Sequence, residues 1–438
     1  MILIYTHKPT NRVRYIFRLY FREMLGLELR VTGDAAEFNA HAGPKLSYTF
    51  QPLGDELFFA ARNLLFETGI AEQNITVSQW QGLPVFFASG KQSALPFDPF
   101  AAGFYLVSRY EEYLPHIRDE LDRFDAHNSL AWQNGFLDRP VVDHWALLIR
   151  DVLAARFPQL QFQQRRYKFI STLDIDNAYA YKEKGLMRSL GGLAKAAAEL
   201  DLKEAVARLR VLLRLQRDPY DTYDYQLEIQ KRYKLRPIYF FLVGDYGVND
   251  KNLSVQNKRF RSLIQHIADH ADVGVHPSFG SNKEPERLRS EIGRLKKILH
   301  RDITRSRQHF LMLKFPDTYR NLIERDITDD YSMGFANEIG FRAGICTPFN
   351  FYDLDQEVET KLKVHPFAVM DASLKYYMKV EPAAAPARVK PIIDEVKAVN
   401  GTFVSLWHNE SLSDEKQWKG WRAVYEQIVE EATRPAHA

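Results

Sequence analysis

Two aspartates in the stretch "STLDID", residues 171–176, are the residues whose types and spacing point most directly to chemistry. Side chains alternate between the two faces of a β-strand, so Asp174 and Asp176 would project from the same face. Neighbouring carboxylates repel each other, and burying them without a partner is costly. The apolar lead-in "KFIST" disfavours the alternative of two solvated turn aspartates. The pair therefore predicts a bound cation.

Three histidines follow apolar, strand-like segments further along the chain. His276 comes at the end of the apolar run in "ADVGVHPS", and His408 extends the apolar row of "TFVSLWHN". In "SRQHFL", a period of two places Arg307 and His309 on one strand face. A single histidine at such a position is usually structural. Three of them, together with the aspartate pair, predict one shared polar site.

Two histidines and one aspartate form a ligand set that leaves coordination positions open for water and substrate. Such a set suits Zn²⁺ or another borderline divalent ion. The ion would lower the pKa of a bound water and polarise an acyl oxygen. A second carboxylate beside it can act as general base, and a histidine can protonate a leaving amine. The residue types therefore predict metal-assisted hydrolysis.

The elements that must position these residues form a repeating pattern after about residue 166. Apolar strand-like segments alternate there with helical stretches, and the segments are "FISTLDID", "PIYFFLVGD", "ADVGVHPS", "SRQHFLML", "FRAGICTPF", "FAVMDASL" and "TFVSLWHN". This alternation predicts βα units and a parallel sheet. Seven such units suit a closed barrel, which carries its chemistry at the carboxyl ends of its strands.

Residues 1–165 also alternate strand-like and helix-like patterns, which predicts a separate, smaller α/β domain. Its clearest helix start is "FDPF", where Asp98 is expected to cap the helix and Pro99 to occupy the first turn. The charged cluster of Arg109, Glu111 and Glu112 is expected to be a solvated helix face rather than part of a site. The role of this domain stays unassigned.

A helical insertion at about 183–217 separates the first two strands of the predicted barrel. The stretch from Lys182 to Arg217 contains nine basic and four acidic residues. A lid, or a packing helix with a basic solvent-exposed face, is the favoured interpretation. Peripheral contact with a membrane surface is the alternative.

The bulk composition sets limits on partners and location. The net charge of +3, from 59 basic and 56 acidic residues, gives no argument for nucleic-acid binding. The single cysteine, Cys346, excludes an intramolecular disulfide and a cysteine-based zinc cluster. The sequence shows no signal-peptide pattern and no run of about 18 apolar residues, so we expect a cytoplasmic protein without a spanning segment.

In their order along the chain, these motifs resemble those of the polysaccharide deacetylase superfamily (NodB homology, carbohydrate esterase family 4). The resemblance covers residues 166–438 and implies a distorted (β/α)7 barrel. "TLDID" is similar to the family's Thr-x-Asp-x-Asp motif, which implies Asp174 as catalytic base and Asp176 as metal ligand. "GVHPSFGS" is similar to its His-x-x-x-His motif, which implies His276 as metal ligand. Residues 1–165 resemble a companion domain of some bacterial deacetylase-like proteins.

Two further motifs carry the resemblance. "SRQHFLMLKFP" is similar to the arginine-containing motif, which implies that Arg307 orients the base, and we expect Arg307 to pair with Asp174. "LWHN" resembles a Leu-x-His motif, which implies His408 as catalytic acid. "GFRAGICTPFNFYD" lies where the fourth motif belongs but lacks its Asp-x-x-Asp-Trp form, so no role is carried over from it.

The chain departs from the family at residue 280, where Gly280 replaces the second histidine of the His-x-x-x-His motif. Glycine has no ligating side chain, so the ligand set needs another donor. We expect His309 to supply it, because His309 shares a predicted strand face with Arg307. The alternatives are that His309 only hydrogen-bonds a substrate hydroxyl, or that His365 is the ligand.

The resemblance implies metal-dependent hydrolysis of an N-acyl group, in the first place N-acetyl, on an amino sugar of a polysaccharide or glycan precursor. The expected cofactor is a divalent metal, in the first place Zn²⁺, and the expected partner is a carbohydrate. A non-catalytic glycan-binding protein with a degenerate site is one alternative. A glycoside hydrolase is another, although its two carboxylates must flank the scissile bond, whereas Asp174 and Asp176 share one strand.

Overall fold

The computed structural model describes residues 1–435, apart from the side chains of residues 186, 193, 195 and 197. The strands of the N-terminal part are β1 (Ile2–Tyr5), β2 (Leu29–Thr32), β3 (Lys45–Thr49), β4 (Leu57–Ala60), β5 (Ser78–Trp80) and β6 (Leu83–Val85). The first four form a parallel sheet in the order β2-β1-β3-β4. Strands β5 and β6 form an antiparallel hairpin.

Helices surround this first sheet. They are α1 (Asn11–Phe17), which continues as a π-helix over Arg18–Met24, α2 (Ala35–Ala40), α3 (Pro99–Val107), α4 (Leu130–Gln133) and α5 (Val141–Arg156). The start of α3 confirms the predicted cap, because the Asp98 side chain accepts hydrogen bonds from the backbone N–H groups of Phe100 and Ala101. An α/β organisation of the N-terminal part is likewise confirmed.

A second sheet of nine strands positions the residues singled out above. Its strands are β7 (Lys168–Ile175), β8 (Ile238–Phe241), β9 (Asp272–Val275), β10 (Arg305–Ser306), β11 (Asp329–Asp330), β12 (Phe349–Asp353), β13 (Val358–Val364), β14 (Val369–Met370) and β15 (Thr402–His408). Their order is β12-β13-β11-β10-β9-β8-β7-β15-β14, and every pair is parallel except β12 with β13. The carboxyl ends of the parallel strands therefore meet at one edge.

Most crossovers in this second part contain a helix, as the predicted βα pattern requires. The helices are α6 (Leu186–Ala198), α7 (Leu202–Leu212), α8 (Tyr223–Arg232), α9 (Lys258–Ala268), α10 (Pro285–Leu299), α11 (Asp317–Ile323), α12 (Ala385–Ala398) and α13 (Trp421–Thr433). Within the described residues, none of the helices is both long and apolar enough to cross a membrane.

The closed (β/α)7 barrel expected from the sequence does not appear as a closed ring of strands within residues 1–435. The sheet ends at β12 on one side and at β14 on the other. Loop residues bridge part of the gap instead, since the Phe367 N–H donates to the Met333 carbonyl and the Gly340 N–H donates to the Ala368 carbonyl. The mixed α/β fold with a parallel sheet is confirmed, and strand closure is not.

Three predicted strands are wrong in extent, and one of them, "FAVMDASL", contributes only the two residues of β14 before the chain becomes helical. "SRQHFL" contributes only the two residues of β10, and His309 begins a short 3-10 turn, His309–Leu311, with Phe310 in the left-handed region. "FRAGICTPF" forms no strand before Phe349, because its backbone turns at Gly344, whose φ is 62°. Its apolar residues are nevertheless buried, and a short run of buried apolar residues gives the same sequence pattern as a buried strand.

The insertion at 183–217 forms a hairpin of two helices, α6 and α7, which pack against each other. Its outer surface differs from the basic solvent-exposed face favoured by the sequence analysis. Leu202, Val206 and Leu209 are exposed along α7, and Met187 and Leu190 are exposed on α6. The basic residues therefore share the outside of the hairpin with apolar side chains.

The charged cluster of the N-terminal part is buried, so the expectation of a solvated helix face is wrong. Arg109 donates from Nε to Glu112 Oε1 at 2.7 Å and from Nη2 to Glu111 Oε1 at 2.8 Å. Arg342, from the second part of the chain, donates to both oxygens of Glu112 at 2.8 and 2.5 Å. The prediction was wrong because it did not include Arg342, which lies 230 residues from Glu112 in sequence. One hydrophobic core accordingly contains residues of both parts.

Removing one member of this buried network should destabilise the fold strongly. Glu112→Gln leaves two buried guanidinium groups short of a negative partner, so the free energy of unfolding should fall by about 3–5 kcal/mol. Glu430→Gln, which removes the exposed partner of Arg434, is the control and should change it by less than about 1 kcal/mol. Urea unfolding under reversible conditions measures both, and equal losses would contradict a stabilising role for the network.

Candidate metal centre

Strand β7 carries the aspartate pair to the carboxyl edge of the second sheet. β7 pairs in parallel with β15, in a register that places Asp174 beside His408, and with β8 on its other side. Asp174 is 2% exposed, whereas Asp176, just beyond the strand end, is partly exposed. The register thus brings the two motifs together although they are more than 200 residues apart in sequence.

His276 lies directly beyond the end of β9 and is buried. Its Nε2 is 3.1 Å from Asp176 Oδ1 and 3.8 Å from Asp174 Oδ2. Its Nδ1 is 2.5 Å from the backbone carbonyl oxygen of Arg307, which can only accept a hydrogen bond. Nδ1 therefore carries the proton, and Nε2 is left to act as a ligand on the side of the aspartates.

His309 reaches the same place from the turn that follows β10. Its Nε2 is 3.5 Å from Asp176 Oδ2, and its ring centroid is 5.1 Å from that of His276. Its Nδ1 is 2.8 Å from Oδ1 of Asp250, a buried carboxylate on the loop after β8. A carboxylate that accepts from Nδ1 orients the ring and directs Nε2 toward a metal.

The donor atoms of Asp176, His276 and His309 lie within 4.8 Å of one another. Asp174 Oδ1 and Asp176 Oδ1 are buried and have no hydrogen-bond partner among the described residues. Buried carboxylate oxygens without partners are unfavourable, and a cation would satisfy them. Two imidazole nitrogens and one carboxylate oxygen are donors that Zn²⁺ accepts. The residues present therefore fit a divalent cation.

The loop that carries Gly280 in place of the second histidine binds the carboxylate of Asp250. Its N–H donates to Asp250 Oδ2 at 3.4 Å, and the Phe279 N–H donates to Asp250 Oδ1 at 2.9 Å. A Cβ at residue 280 would lie 2.8 Å from Arg287 Nη1, so a side chain there would start toward Arg287. The loop thus holds the carboxylate of Asp250, and Asp250 holds His309.

Arg307 is fully buried beside Asp174. Its Nη2 donates to Thr172 Oγ1 at 2.9 Å, and its Nη1 is 3.7 Å from Asp174 Oδ1. The guanidinium carbon lies 5.0 Å from the ring centroid of Phe240 and 5.2 Å from that of Phe367. Burial lowers the pKa of this guanidinium, while the charge of Asp174 opposes that change. The expected pairing with Asp174 is therefore an ion pair, without a direct hydrogen bond.

His408 has a buried carboxylate partner that the sequence analysis missed. Its Nδ1 is 2.8 Å from Asp371 Oδ1, and its backbone N–H donates to Asp371 Oδ2 at 2.8 Å. Burial works to lower the pKa of His408, but Asp371 and, to a smaller extent, Asp176 raise it well above its ordinary value. Asp371 directly follows the apolar "FAVM" of β14, the same signal that identified Asp174.

A pocket of about 390 Å³ opens above these residues. Its aromatic walls are formed by Phe310, Tyr376, Tyr377 and Trp418, and Glu410 also lines it. Arg123, from the N-terminal part, contributes to the wall: it donates to the Phe310 carbonyl at 2.8 Å and to the Tyr377 hydroxyl at 3.0 Å. No sequence pattern singled out Arg123, Asp250 or Glu410, because all three lie in loops.

His365, the rival ligand, lies outside this cluster. It lies between β13 and β14, and its Nε2 is 2.7 Å from Asp329 Oδ1. Its ring stacks on that of Tyr331 at a centroid distance of 4.3 Å. Asp174, Asp176, His276, Arg307, His309 and His408 therefore lie close together, and His365 has a different set of partners.

Metal binding should release a proton from His309. Burial works to lower the pKa of His309, but Asp176 and Asp250 raise it to about 9 in the metal-free protein. A ligating imidazole must be neutral at Nε2, so below about pH 9 a cation has to displace that proton. The metal affinity should therefore rise by about tenfold per pH unit up to about pH 9.

Calorimetric titration of the metal-free protein with Zn²⁺, in two buffers of different ionisation enthalpy, counts the released protons. The structure predicts about one proton per ion near neutral pH. A release of no protons would mean that His309 does not coordinate the ion.

Comparison with known proteins finds one family model that is similar to the N-terminal part. Residues 2–158 match the model of a family of unknown function, DUF7033. No curated protein sequence matches the chain significantly. Among known structures, a protein from Mycobacterium smegmatis assigned as a polysaccharide deacetylase is 12% identical over 62% of this chain and 85% of its own, with a TM-score of 0.40.

Two further structures resemble the same share of the chain. The polysaccharide deacetylase of Bacillus cereus is 14% identical over 61% of this chain and 87% of its own, with a TM-score of 0.29. An allantoinase is 10% identical over 61% of this chain and 84% of its own, with a TM-score of 0.38. Similarities of this size carry no argument about activity, which has to come from the residues of the site.

Proposed function

We propose that this protein is a metal-dependent amide hydrolase that removes an N-acyl group, in the first place N-acetyl, from an amino sugar. One observation carries the proposal: a three-donor cluster of Asp176, His276 and His309 lies beside a buried carboxylate, Asp174, and a charged imidazole, His408. Amide hydrolysis needs a general base for the water and a general acid for the leaving amine. The site offers one of each.

Asp176, His276 and His309 would hold a divalent cation, with Zn²⁺ expected from the donor types. When bound, the cation would polarise the acyl oxygen and lower the pKa of a water molecule. Asp174 then takes the proton from the attacking water, and the guanidinium of Arg307, 3.7 Å away, stabilises its negative charge. Asp250 keeps the His309 ring oriented through Nδ1.

His408 completes the proposed reaction. Asp371 accepts from Nδ1 and keeps the imidazole charged, so Nε2 carries a proton that it can give to the leaving amine. The carbon–nitrogen bond of the amide breaks, the amine leaves with that proton, and the acyl group leaves as a carboxylate. The aromatic walls of the pocket offer flat apolar surfaces on which a sugar ring can pack.

We also propose that residues 1–165 form a companion domain whose contribution to the site is structural. Arg123 holds the carbonyl of Phe310, the residue after His309, and the hydroxyl of Tyr377 on the opposite wall. The role proposed for this domain is to complete the pocket wall.

Acetate release from N-acetylated chitooligosaccharides tests the proposed function. We expect release by the Zn²⁺-loaded protein, loss of release in chelator, and recovery when Zn²⁺ is returned. Saturable sugar binding without acetate release, in a protein that holds its metal, would instead support the non-catalytic alternative. Cleavage of glycosidic bonds that survives chelator would support the glycoside hydrolase.

His408→Ala should lower kcat with little change in KM. The proton transfer assigned to His408 belongs to the transition state, and general acid catalysis is worth about 10²–10⁴-fold in rate. His365→Ala, which removes a partly buried histidine outside the pocket, is the matched control and should leave both constants near their original values. A change confined to KM would assign His408 to substrate binding.

A further inference from the structure

The outer face of helix α7 is apolar and exposed. Leu202, Val206 and Leu209 follow the i, i+4, i+7 spacing that places side chains on one helix face, and they are 73%, 47% and 45% exposed. The other face packs inward through buried Val211 and through Glu204, which accepts from the Tyr181 hydroxyl at 3.0 Å. A helix on a protein surface normally turns polar residues to the solvent, whereas α7 also exposes these three apolar side chains.

Further large apolar side chains are exposed elsewhere on the hairpin. Met187 and Leu190 on α6 are 87% and 56% exposed, and Leu200, in the loop between the helices, is 83% exposed. Leu213 and Leu215 follow α7 and are 67% and 74% exposed. Large contiguous apolar patches on a soluble fold mark interaction sites. A partner that removes these side chains from water is therefore expected.

Basic side chains without partners flank this apolar face. Lys203, Arg210 and Arg214 are exposed, and none of them forms a salt bridge within residues 1–435. Glu204, by contrast, faces inward, where it pairs with Arg208 at 2.8 Å and with Lys416. The hairpin thus combines an apolar stripe with an excess of positive charge, since nine basic residues stand against four acidic ones from Lys182 to Arg217, and this favours a partner that is both apolar and anionic.

The base of the hairpin is fixed to the loop that follows β7. At its base, the Asp218 carboxylate accepts from the backbone N–H groups of Ala180, Tyr181 and Lys182 at 2.7, 2.8 and 2.9 Å. On its inner face, Glu204 pairs with Lys416, two residues before Trp418 of the pocket wall. The inner side of the hairpin is therefore held against the fold, and its outer side faces the solvent.

We propose that the α6–α7 hairpin is a docking surface for an anionic lipid membrane. Amphipathic helices with an apolar face and basic flanks lie in the membrane interface, where the apolar side chains enter the acyl boundary and the cations meet anionic headgroups. Self-association of the patch would bring the unpaired cations of two copies together, which is unfavourable. The inference goes beyond the proposed function and does not depend on it.

Vesicle flotation with the full chain tests the surface. The protein should float with vesicles of phosphatidylcholine and phosphatidylglycerol and remain behind with vesicles of phosphatidylcholine alone. Each basic side chain near an anionic surface strengthens binding about fivefold, so Lys203→Gln combined with Arg210→Gln and Arg214→Gln should weaken it about a hundredfold. Leu202→Asp combined with Leu209→Asp should abolish it. These positions are exposed, so folding should be retained.

A matched control changes three exposed lysines elsewhere, Lys231→Gln, Lys234→Gln and Lys297→Gln, and should bind as the original chain does. Absence of binding to anionic vesicles, or equal binding by all variants, would overturn the proposal. A dimer in sedimentation velocity that Leu209→Asp dissociates, without vesicle binding, would make a second copy the partner. Acetate release from a soluble oligosaccharide, measured on the same preparations, reports the proposed function separately.

Discussion

Asp174→Asn is expected to abolish turnover while the protein keeps its metal. In the proposed reaction Asp174 takes the proton from the attacking water, and asparagine cannot accept it. Loss of a general base costs about 10²–10⁴-fold in kcat. The cation should remain, because the three proposed donors are Asp176, His276 and His309. Kinetics of acetate release and metal analysis of the same sample are the two measurements.

The control for this variant is Asp353→Asn, a buried carboxylate outside the pocket that pairs with Arg320 at 2.6 and 2.8 Å. It should lower stability without a comparable loss of kcat. Asp174→Asn protein that still turns over at the original rate would remove Asp174 from the role of base. Asp174→Asn protein that has lost its metal would make Asp174 a ligand instead.

His309→Ala is expected to lower the metal affinity more than a variant that removes only a hydrogen-bond partner of a ligand does. Loss of a second-shell partner typically costs about 10–100-fold in metal affinity, so Asp250→Asn should fall in that range and loss of His309 itself should exceed about a hundredfold. His365→Ala should leave the affinity unchanged, because His365 pairs with Asp329. Competition with a chromophoric chelator gives the three affinities on one scale.

Gly280→His offers a sharper version of this experiment. A Cβ at residue 280 starts toward Arg287, so His309→Ala combined with Gly280→His should not recover metal binding. Recovery would show that the loop can return to the arrangement of the His-x-x-x-His motif. If His309→Ala alone raises KM and leaves metal affinity intact, His309 contacts the substrate and not the ion.

The sequence predicted which residues lie close together better than it predicted the strands that carry them. A period of two along β7 placed Asp174 and Asp176 correctly at a strand end. The same reasoning for Arg307 and His309 was wrong about the structure, because β10 ends at Ser306. His309 still reaches the cluster, since its backbone N–H donates to the Pro277 carbonyl and holds the turn beside His276.

Residues that act through another residue escaped prediction for a physical reason. Asp250 and Arg123 lie in loops, where no hydrophobic period defines a face, and their partners are 59 and 187 residues away in sequence. Arg342 could not be predicted for a similar reason, because its pairing with Glu112 exists only once the two parts of the chain pack together. Asp371 differs from these, because it follows an apolar strand and carried a readable signal.

A crystal structure of the protein soaked in Zn²⁺ shows directly which side chains bind the ion. We expect one ion bound by Asp176, His276 and His309, with zinc–nitrogen distances of about 2.0–2.1 Å and with Asp174 outside the coordination sphere. An ion bound by Asp176 and His276 alone, with His309 Nε2 more than about 4 Å away, would contradict it.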